Sequence, residues 1–180
     1  VSRERWLKAG AAGLLCPSLP ESMGGPGGDF LHAVVAIEEL SRAGTDGPGF
    51  FVHSEMIAPY LSTFGTPAQQ QRWLPGFVRG EIITAIAMSE PGAGSDLQGL
   101  RTTAVRDGED WIINGQKIFT SGANLASYVF LIARTDPDAP KHRGITMFLV
   151  PLDDPGVEIQ PVYTFMDERT NATFYADVRI

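Results

Sequence analysis

The sequence predicts an α+β protein in which an N-terminal helical domain, residues 1–80, precedes an antiparallel β-barrel or sandwich domain, residues 81–180. Three observations carry this reading. Apolar residues recur every three to four positions before residue 80 and at alternate positions after Ile82. Helix-capping signals are confined to the first part, whereas the tight-turn dipeptides Asp107-Gly108 and Asn114-Gly115 fall in the second. Links between successive strands are short, which suits antiparallel neighbours and leaves no room for crossover helices.

The elements follow in order. Trp6, Leu7, Ala11, Leu14 and Leu15 have helical spacing, and Pro17 and Pro20 close that segment. Leu19 to Gly28 reads as a Gly- and Pro-rich loop. Asp29 can cap a second helix with Phe30, Ala33, Val34, Ile37 and Leu40 on one face, ending near Gly44. A third helix is expected over Phe50 to Phe64, with Phe51, Ile57, Leu61 and Phe64 inward. Thr66-Pro67-Ala68-Gln69 fits a capping box with proline at the first helical position, and Pro75-Gly76 should break or kink the helix it starts. Strands are expected over Ile82–Ile86, Arg101–Arg106, Trp111–Asn114, Gln116–Thr120, Tyr128–Thr135, Ile145–Pro151, Val157–Val162 and Thr173–Ile180.

Composition narrows the function classes. A 43% hydrophobic content supports a packed core. The net charge of −7 argues against a nucleic-acid partner, because phosphate neutralisation needs a basic surface. Cys16 stands alone, so no internal disulfide forms and a reducing compartment, cytosol or mitochondrial matrix, is expected. No apolar run approaches the ~20 residues of a bilayer span. The three histidines, His32, His53 and His142, are dispersed, which argues against a metal site. The chain opens on Val1, within an apparent helix, and stops at Val178-Arg179-Ile180 inside an apparent strand, the pattern expected of a piece of a longer protein.

The most informative stretch is Ala87-Met88-Ser89-Glu90-Pro91-Gly92-Ala93-Gly94-Ser95-Asp96, directly after the apolar run Ile82–Ile86. Small and hydroxylated residues leaving a strand expose backbone N–H groups to a flat, polar or phosphorylated ligand. By itself the stretch is equally an ordinary strand exit, since the same residues dominate turns. Met23 to Gly28 (MGGPGG) is not a dinucleotide fingerprint: it follows no strand, its spacing is wrong and Pro26 interrupts it.

Three segments in order and spacing go further: Ala87–Asp96 (AMSEPGAGSD), Trp111–Gly122 (WIINGQKIFTSG) and Arg169–Arg179 (RTNATFYADVR). Together they closely resemble the acyl-CoA dehydrogenase family of flavoproteins. Gly13-Leu14-Leu15-Cys16-Pro17 and Arg72-Trp73-Leu74-Pro75 leading to Gly80-Glu81 resemble it as well, so the similarity covers nearly the whole chain. The resemblance implies FAD as cofactor and an acyl-CoA thioester as substrate. It implies removal of an α-proton by a carboxylate with hydride transfer from the β-carbon to flavin N5, giving a trans-2-enoyl-CoA. It also implies an electron-transfer flavoprotein as acceptor, and a homo-oligomer, tetramer or dimer. Such chemistry needs enolate-like charge stabilised on the carbonyl, and base and flavin held on opposite faces.

By position in these motifs, Ile86, Met88 and Ser89 are expected along the isoalloxazine edge, with Ser89 bonding its pyrimidine end. Gly92 and Gly94 are expected to let the loop turn tightly, and Ser95 to touch cofactor and substrate CoA. Phe119 takes the place of the family's usual tryptophan beside the flavin, Thr120 follows it, and Ser121 replaces the usual threonine at N5. Phenylalanine keeps a π face but loses the indole N–H; serine keeps the hydroxyl and loses a methyl. Glu90 is read as a loop-setting carboxylate, because the family base lies in a C-terminal helical bundle that this chain lacks. No catalytic residue is therefore assigned.

Each of these residues also has a plain structural reading. Phe119 and Ile118 taken alone would be core residues, Ser121-Gly122 a turn, Trp111 packing, Lys117 a solvated or structural cation, Arg169-Thr170-Asn171 a loop-and-strand element and His53 a packed helix residue. An acyl-CoA oxidase or related flavin oxidase, and a noncatalytic ligand-binding module, remain open as alternatives at this stage.

Overall fold

The computed structural model describes residues 2–44, 49–165 and 169–180, so Val1 lies outside the described residues. The chain folds as two compact units, Val1–Thr84 and Ala85–Ile180. Among the described residues no helix is long and apolar enough to cross a membrane.

The first unit contains α1 (Arg3–Ala11), α2 (Phe30–Arg42), α3 (Ala58–Phe64) and α4 (Pro67–Val78). α1 stops at Ala11, well before the prolines, because Gly13 turns the chain at φ +70° and the Leu14 N–H closes onto Ala9 O. Leu15 is therefore buried from a loop, and Leu7 stays exposed. Asp29 caps α2 as expected: its carboxylate accepts from Leu31 N and His32 N while the His32 ring accepts from Asp29 N. Thr66 and Gln69 form the expected capping box on α4.

Two helical expectations need correction. The segment ahead of α3, Val52–Ile57, winds as a π-helix. Its i→i+5 bonding rotates the inward face, so His53, Ser54, Ile57 and Ala58 are buried, whereas Phe51 and Phe64 are exposed. Pro75 does not end α4 either. Leu74 and Phe77 flank it fully buried, and Gly76 lets Ile82 approach where a Cβ would come within 2.6 Å of its Cδ1. Burial on both sides outweighs the one hydrogen bond that the proline removes in the last turn.

His53 is the packed residue that its helical setting suggests. It is fully buried, edge-on to Trp6 and tilted against Phe77. Phe77 O, 3.2 Å from Nε2, can only accept, so Nε2 carries the proton and Nδ1 accepts from the Thr84 hydroxyl at 2.7 Å. Burial pushes the imidazole down to about 4.

The second unit holds one curled sheet of seven strands among the described residues: β1 (Thr84–Ala87), β2 (Thr103–Asp107), β3 (Asp110–Lys117), β4 (Tyr128–Arg134), β5 (Ile145–Pro151), β6 (Val157–Tyr163) and β7 (Arg169–Arg179). The order is β1-β4-β2-β3-β7-β6, with β5 on β4. The α+β class stands, but the sheet is mixed and not wholly antiparallel. The chain reaches β4 through residues 118–127, not a tight turn, and arrives parallel to β2 at Thr103↔Arg134. The β2–β3, β3–β7, β4–β5 and β6–β7 pairings are antiparallel. The core is the inner face, where Ile113, Val129, Leu131, Val150 and Val178 have no exposure.

Asp107-Gly108 makes the expected hairpin, with Asp107 opposite Asp110 and Gly108 at φ +64°. Asn114-Gly115 does not. β3 runs straight through it, and the register against β7 shifts between Ile113 and Gly115. The glycine is required because a Cβ there would fall 2.6 Å from Thr102 Cα.

His53 sets a pH dependence. An unfolded imidazole titrates near 6.5 and this one only at about 4, so between those values the unfolded chain binds the extra proton. The neutral ring's contribution is complete above pH 6.5, and about 3 kcal/mol of it is lost as pH falls to 4. Unfolding free energies from urea titrations at pH 7 and pH 4.5 should differ by most of that amount in the native chain, and by much less in His53→Gln.

Candidate functional site

The site is built where two strand ends meet. β1 ends at Ala87 and releases the loop Met88–Ser95; β3 ends at Lys117 and releases Ile118–Gly122. The Ile118 N–H donates to Ser89 O at 2.9 Å, joining the two segments through their backbones.

Behind the joint lies a buried charge pair. The Lys117 side chain has no exposure, and its Nζ donates to Glu90 Oε1 at 2.9 Å and to Met88 O at 3.1 Å. The Glu90 carboxylate also accepts from Arg101 N at 2.7 Å and Thr102 N at 2.9 Å. Burial pushes Glu90 upward, but its hydrogen bonds to Thr102, Arg101 and Lys117 outweigh that and hold it below the usual carboxylate range. Burial lowers Lys117, opposed by Glu90. Glu90 thus sets the loop, as read from the sequence, and Lys117 is a structural cation. With two backbone N–H groups and an ammonium on its oxygens, this carboxylate is not free to take a proton from a ligand.

The loop itself is tight: Glu90 N donates to Ala93 O at 2.8 Å and Ala93 N returns to Glu90 O at 3.1 Å. Gly92 lies in the turn between Glu90 and Ala93 and Gly94 in the bend that follows, but neither adopts a positive φ, so the backbone conformation does not demand glycine at either. A Cβ at either would meet nothing within 4 Å. They leave the loop backbone bare on that side. Ile86, Met88 and Ser89 are half-buried, and Gly94 and Ser95 are exposed.

The second segment presents its side chains unequally. Phe119 is held at φ +61° and is 62% exposed, so it is not a core residue. Thr120 faces inward: it is fully buried and its hydroxyl lies 3.3 Å from that of Thr173. Ser121 is exposed, with its Oγ 3.0 Å from Thr170 Oγ1. The strained backbone at Phe119 is held by neighbours on both sides, the Ile118 bond to Ser89 and a Thr120 N bond to Asn171 O at 2.9 Å.

Asn171 and Thr170 are the residues that the sequence reading passed over as strand elements. Asn171 is fully buried, and its Nδ2 donates to Thr120 O at 3.0 Å and to Asn124 Oδ1 at 3.2 Å. Arg169 Nε donates to its Oδ1 at 2.9 Å. The available signal was the run Thr170-Asn171 with Thr173 in a strand that must face a core; buried polar residues require partners. Trp111 is packing, edge-on to Phe148. Among the described residues no group of His, Cys, Asp or Glu side chains is placed to hold a metal ion.

A bare glycine loop, an outward aromatic ring and exposed Ser95 and Ser121 hydroxyls form a donor set suited to a flat heteroaromatic ligand carrying phosphate. Residues 1–81 match the acyl-CoA dehydrogenase N-terminal domain and residues 85–177 the acyl-CoA dehydrogenase middle domain. The chain belongs to the acyl-CoA dehydrogenase family. It is 48% identical over 152 residues to the mitochondrial long-chain specific acyl-CoA dehydrogenase of Rattus norvegicus, covering 83% of this chain and 35% of the relative. An acyl-CoA dehydrogenase structure from Geobacillus kaustophilus superimposes with a TM-score of 0.93 at 41% identity, over 100% of this chain and 48% of that one. A steroid ACAD superimposes equally well, TM-score 0.93 at 43% identity, over 99% and 46%. The chain therefore spans half or less of the length of these relatives.

Within this acyl-CoA dehydrogenase middle domain, the buried pair is open to direct test. Lys117→Met strands the Glu90 charge and should cost about 3–5 kcal/mol in urea unfolding. Adding Glu90→Gln should recover part of that loss. A single-variant loss below about 1 kcal/mol would contradict the assigned role.

Proposed function

We propose that the protein carrying this chain is an FAD-dependent acyl-CoA dehydrogenase that oxidises an acyl-CoA thioester to the trans-2-enoyl-CoA, and that this chain supplies one wall of the flavin site. The observation that carries it is Phe119, an aromatic side chain turned outward at φ +61° by bonds that also join it to the Ser89 loop. That arrangement has no use in a folding core and suits a ring stacked outside it.

The residues divide the work as follows. Ile86, Met88, Ser89 and the loop backbone receive the pyrimidine edge of the isoalloxazine. Gly94 and Ser95 receive the pyrophosphate and the CoA chain. Phe119 covers the ring, the Thr120 backbone holds the turn, and Ser121 meets N5. Bound FAD supplies the two-electron acceptor. The α-proton goes to a base that this chain does not hold, because Glu90 is fully committed to Arg101, Thr102 and Lys117. We place that base in the part of the relatives that this chain does not span. The isolated chain accordingly binds FAD weakly and does not turn over.

An electron-transfer flavoprotein is the proposed acceptor, a homo-oligomer the proposed assembly, and cytosol or mitochondrial matrix the proposed compartment. One substitution favours a second reading, a flavin oxidase: Phe119 lacks the indole N–H of the tryptophan usual there, which changes the reactive edge. Peroxide formed in step with substrate consumption would select it.

The full-length protein should purify with FAD and reduce a dye with an acyl-CoA, long-chain and steroid thioesters being the first to try; failure of both removes the proposal. Phe119→Ala should weaken FAD binding about 3–10-fold in a fluorescence titration, the usual worth of an aromatic contact. Glu90→Gln, where folded, should retain turnover, and its complete loss would restore Glu90 as a base.

A further inference from the structure

We infer that Thr170 is a positioning residue that selects the rotamer and proton direction of Ser121, and through it the hydrogen bond that Ser121 offers to the flavin. The inference rests on the reading above that Ser121 meets N5.

Everything about Ser121 except its side-chain torsion is already fixed. The residue before it is held at both of its peptides, since Thr120 N donates to Asn171 O and Asn171 Nδ2 donates to Thr120 O. Its own N–H closes onto Phe119 O at 2.9 Å. A threonine here would be stiff by virtue of β-branching, but serine is free to visit every staggered position. Some other group must hold it, and the neighbour within reach is Thr170 Oγ1 at 3.0 Å. Thr170 is itself β-branched and only 6% exposed, so it is a fixed reference point.

The proton direction follows from satisfaction of buried groups. Ser121 is the partner of the Thr170 hydroxyl among the described residues. If Ser121 donated, the proton of the Thr170 hydroxyl would have no acceptor among the described residues, a costly state for a side chain this buried. Thr170 therefore donates and Ser121 accepts, which leaves the Ser121 proton pointing away from the sheet on an exposed residue. An outward O–H matches an acceptor nitrogen such as N5 of the oxidised ring. The Thr170 hydroxyl thus restores, through space, the order that the missing methyl of a threonine would have imposed.

The test uses the full-length protein, FAD fluorescence titration and the visible flavin spectrum. Thr170→Val removes the hydroxyl at constant shape and should weaken FAD binding about fivefold, the worth of one ordinary hydrogen bond, with a shift of the flavin band. Ser121→Ala should show a similar loss, and the double variant no further one, because the two act as a unit. Thr170→Ser should recover most of the affinity, and Ser121→Thr should make Thr170→Val nearly silent. Additive losses, or a Thr170→Val protein with native affinity and spectrum, overturn the inference. If Thr170→Val does not fold, the Hα–Hβ couplings of Ser121 in the native protein decide it: one rotamer supports the inference and averaged couplings overturn it. If the native protein binds no FAD at all, the functional reading fails first, while the couplings still judge the rotamer lock.

Discussion

The buried ammonium of Lys117 is the constraint on which the candidate site depends. It binds a carbonyl from one strand exit, Met88 O, and a carboxylate, Glu90, that in turn holds the N–H groups of Arg101 and Thr102. A fully buried cation is tolerated only with such partners, since desolvation is offset by a short ion pair and by hydrogen bonds that satisfy the remaining atoms. One charge pair therefore ties the exit of β1, the approach to β2 and the end of β3 into a single arrangement. The loop Met88–Ser95 can then remain bare of large side chains without losing its shape.

The same logic recurs on β7. Thr170, Asn171 and Thr173 are buried polar residues whose partners include Ser121, Thr120 and Asn124. They contribute little to apolar burial and instead hold a turn that contains a left-handed phenylalanine. Strain at Phe119 is maintained because neighbouring bonds over-determine it. These bonds fix the geometry of the turn within the protein itself, which is what the proposed ligand site requires.

Much of the fold was legible in the sequence because the signals were local. The Asp29 and Thr66 caps, the Asp107-Gly108 hairpin and most of the strands depend on residues within a few positions of one another. The errors share one cause. Asn114-Gly115 reads as a turn, yet the glycine answers to Thr102, thirteen residues away in the chain, and the strand continues. Pro75 reads as a break, yet the burial of Leu74 and Phe77 carries the helix past it. Phe51 and Phe64 read as core, yet the π-helical segment turns them outward. In each, tertiary packing outweighed a local preference.

The sequence alone determined the class, the family and the order of the motifs, because length, period and a string such as AMSEPGAGSD are properties of the chain itself. It also gave the reading of Glu90 as a loop-setting residue, which its bonds to Arg101, Thr102 and Lys117 bear out, and the expectation that Phe119 and Ser121 stand where the family usually has tryptophan and threonine. Only the tertiary structure decided that Thr120 faces inward while Ser121 faces out, that Lys117 ties the loop through Met88 and Glu90, and that Asn171 and Thr170 bond the segment holding Phe119 and Ser121. Those facts depend on groups brought together over separations of 27 to 51 positions in the chain. Hydrogen bonds formed across such distances leave no periodicity for a sequence to show.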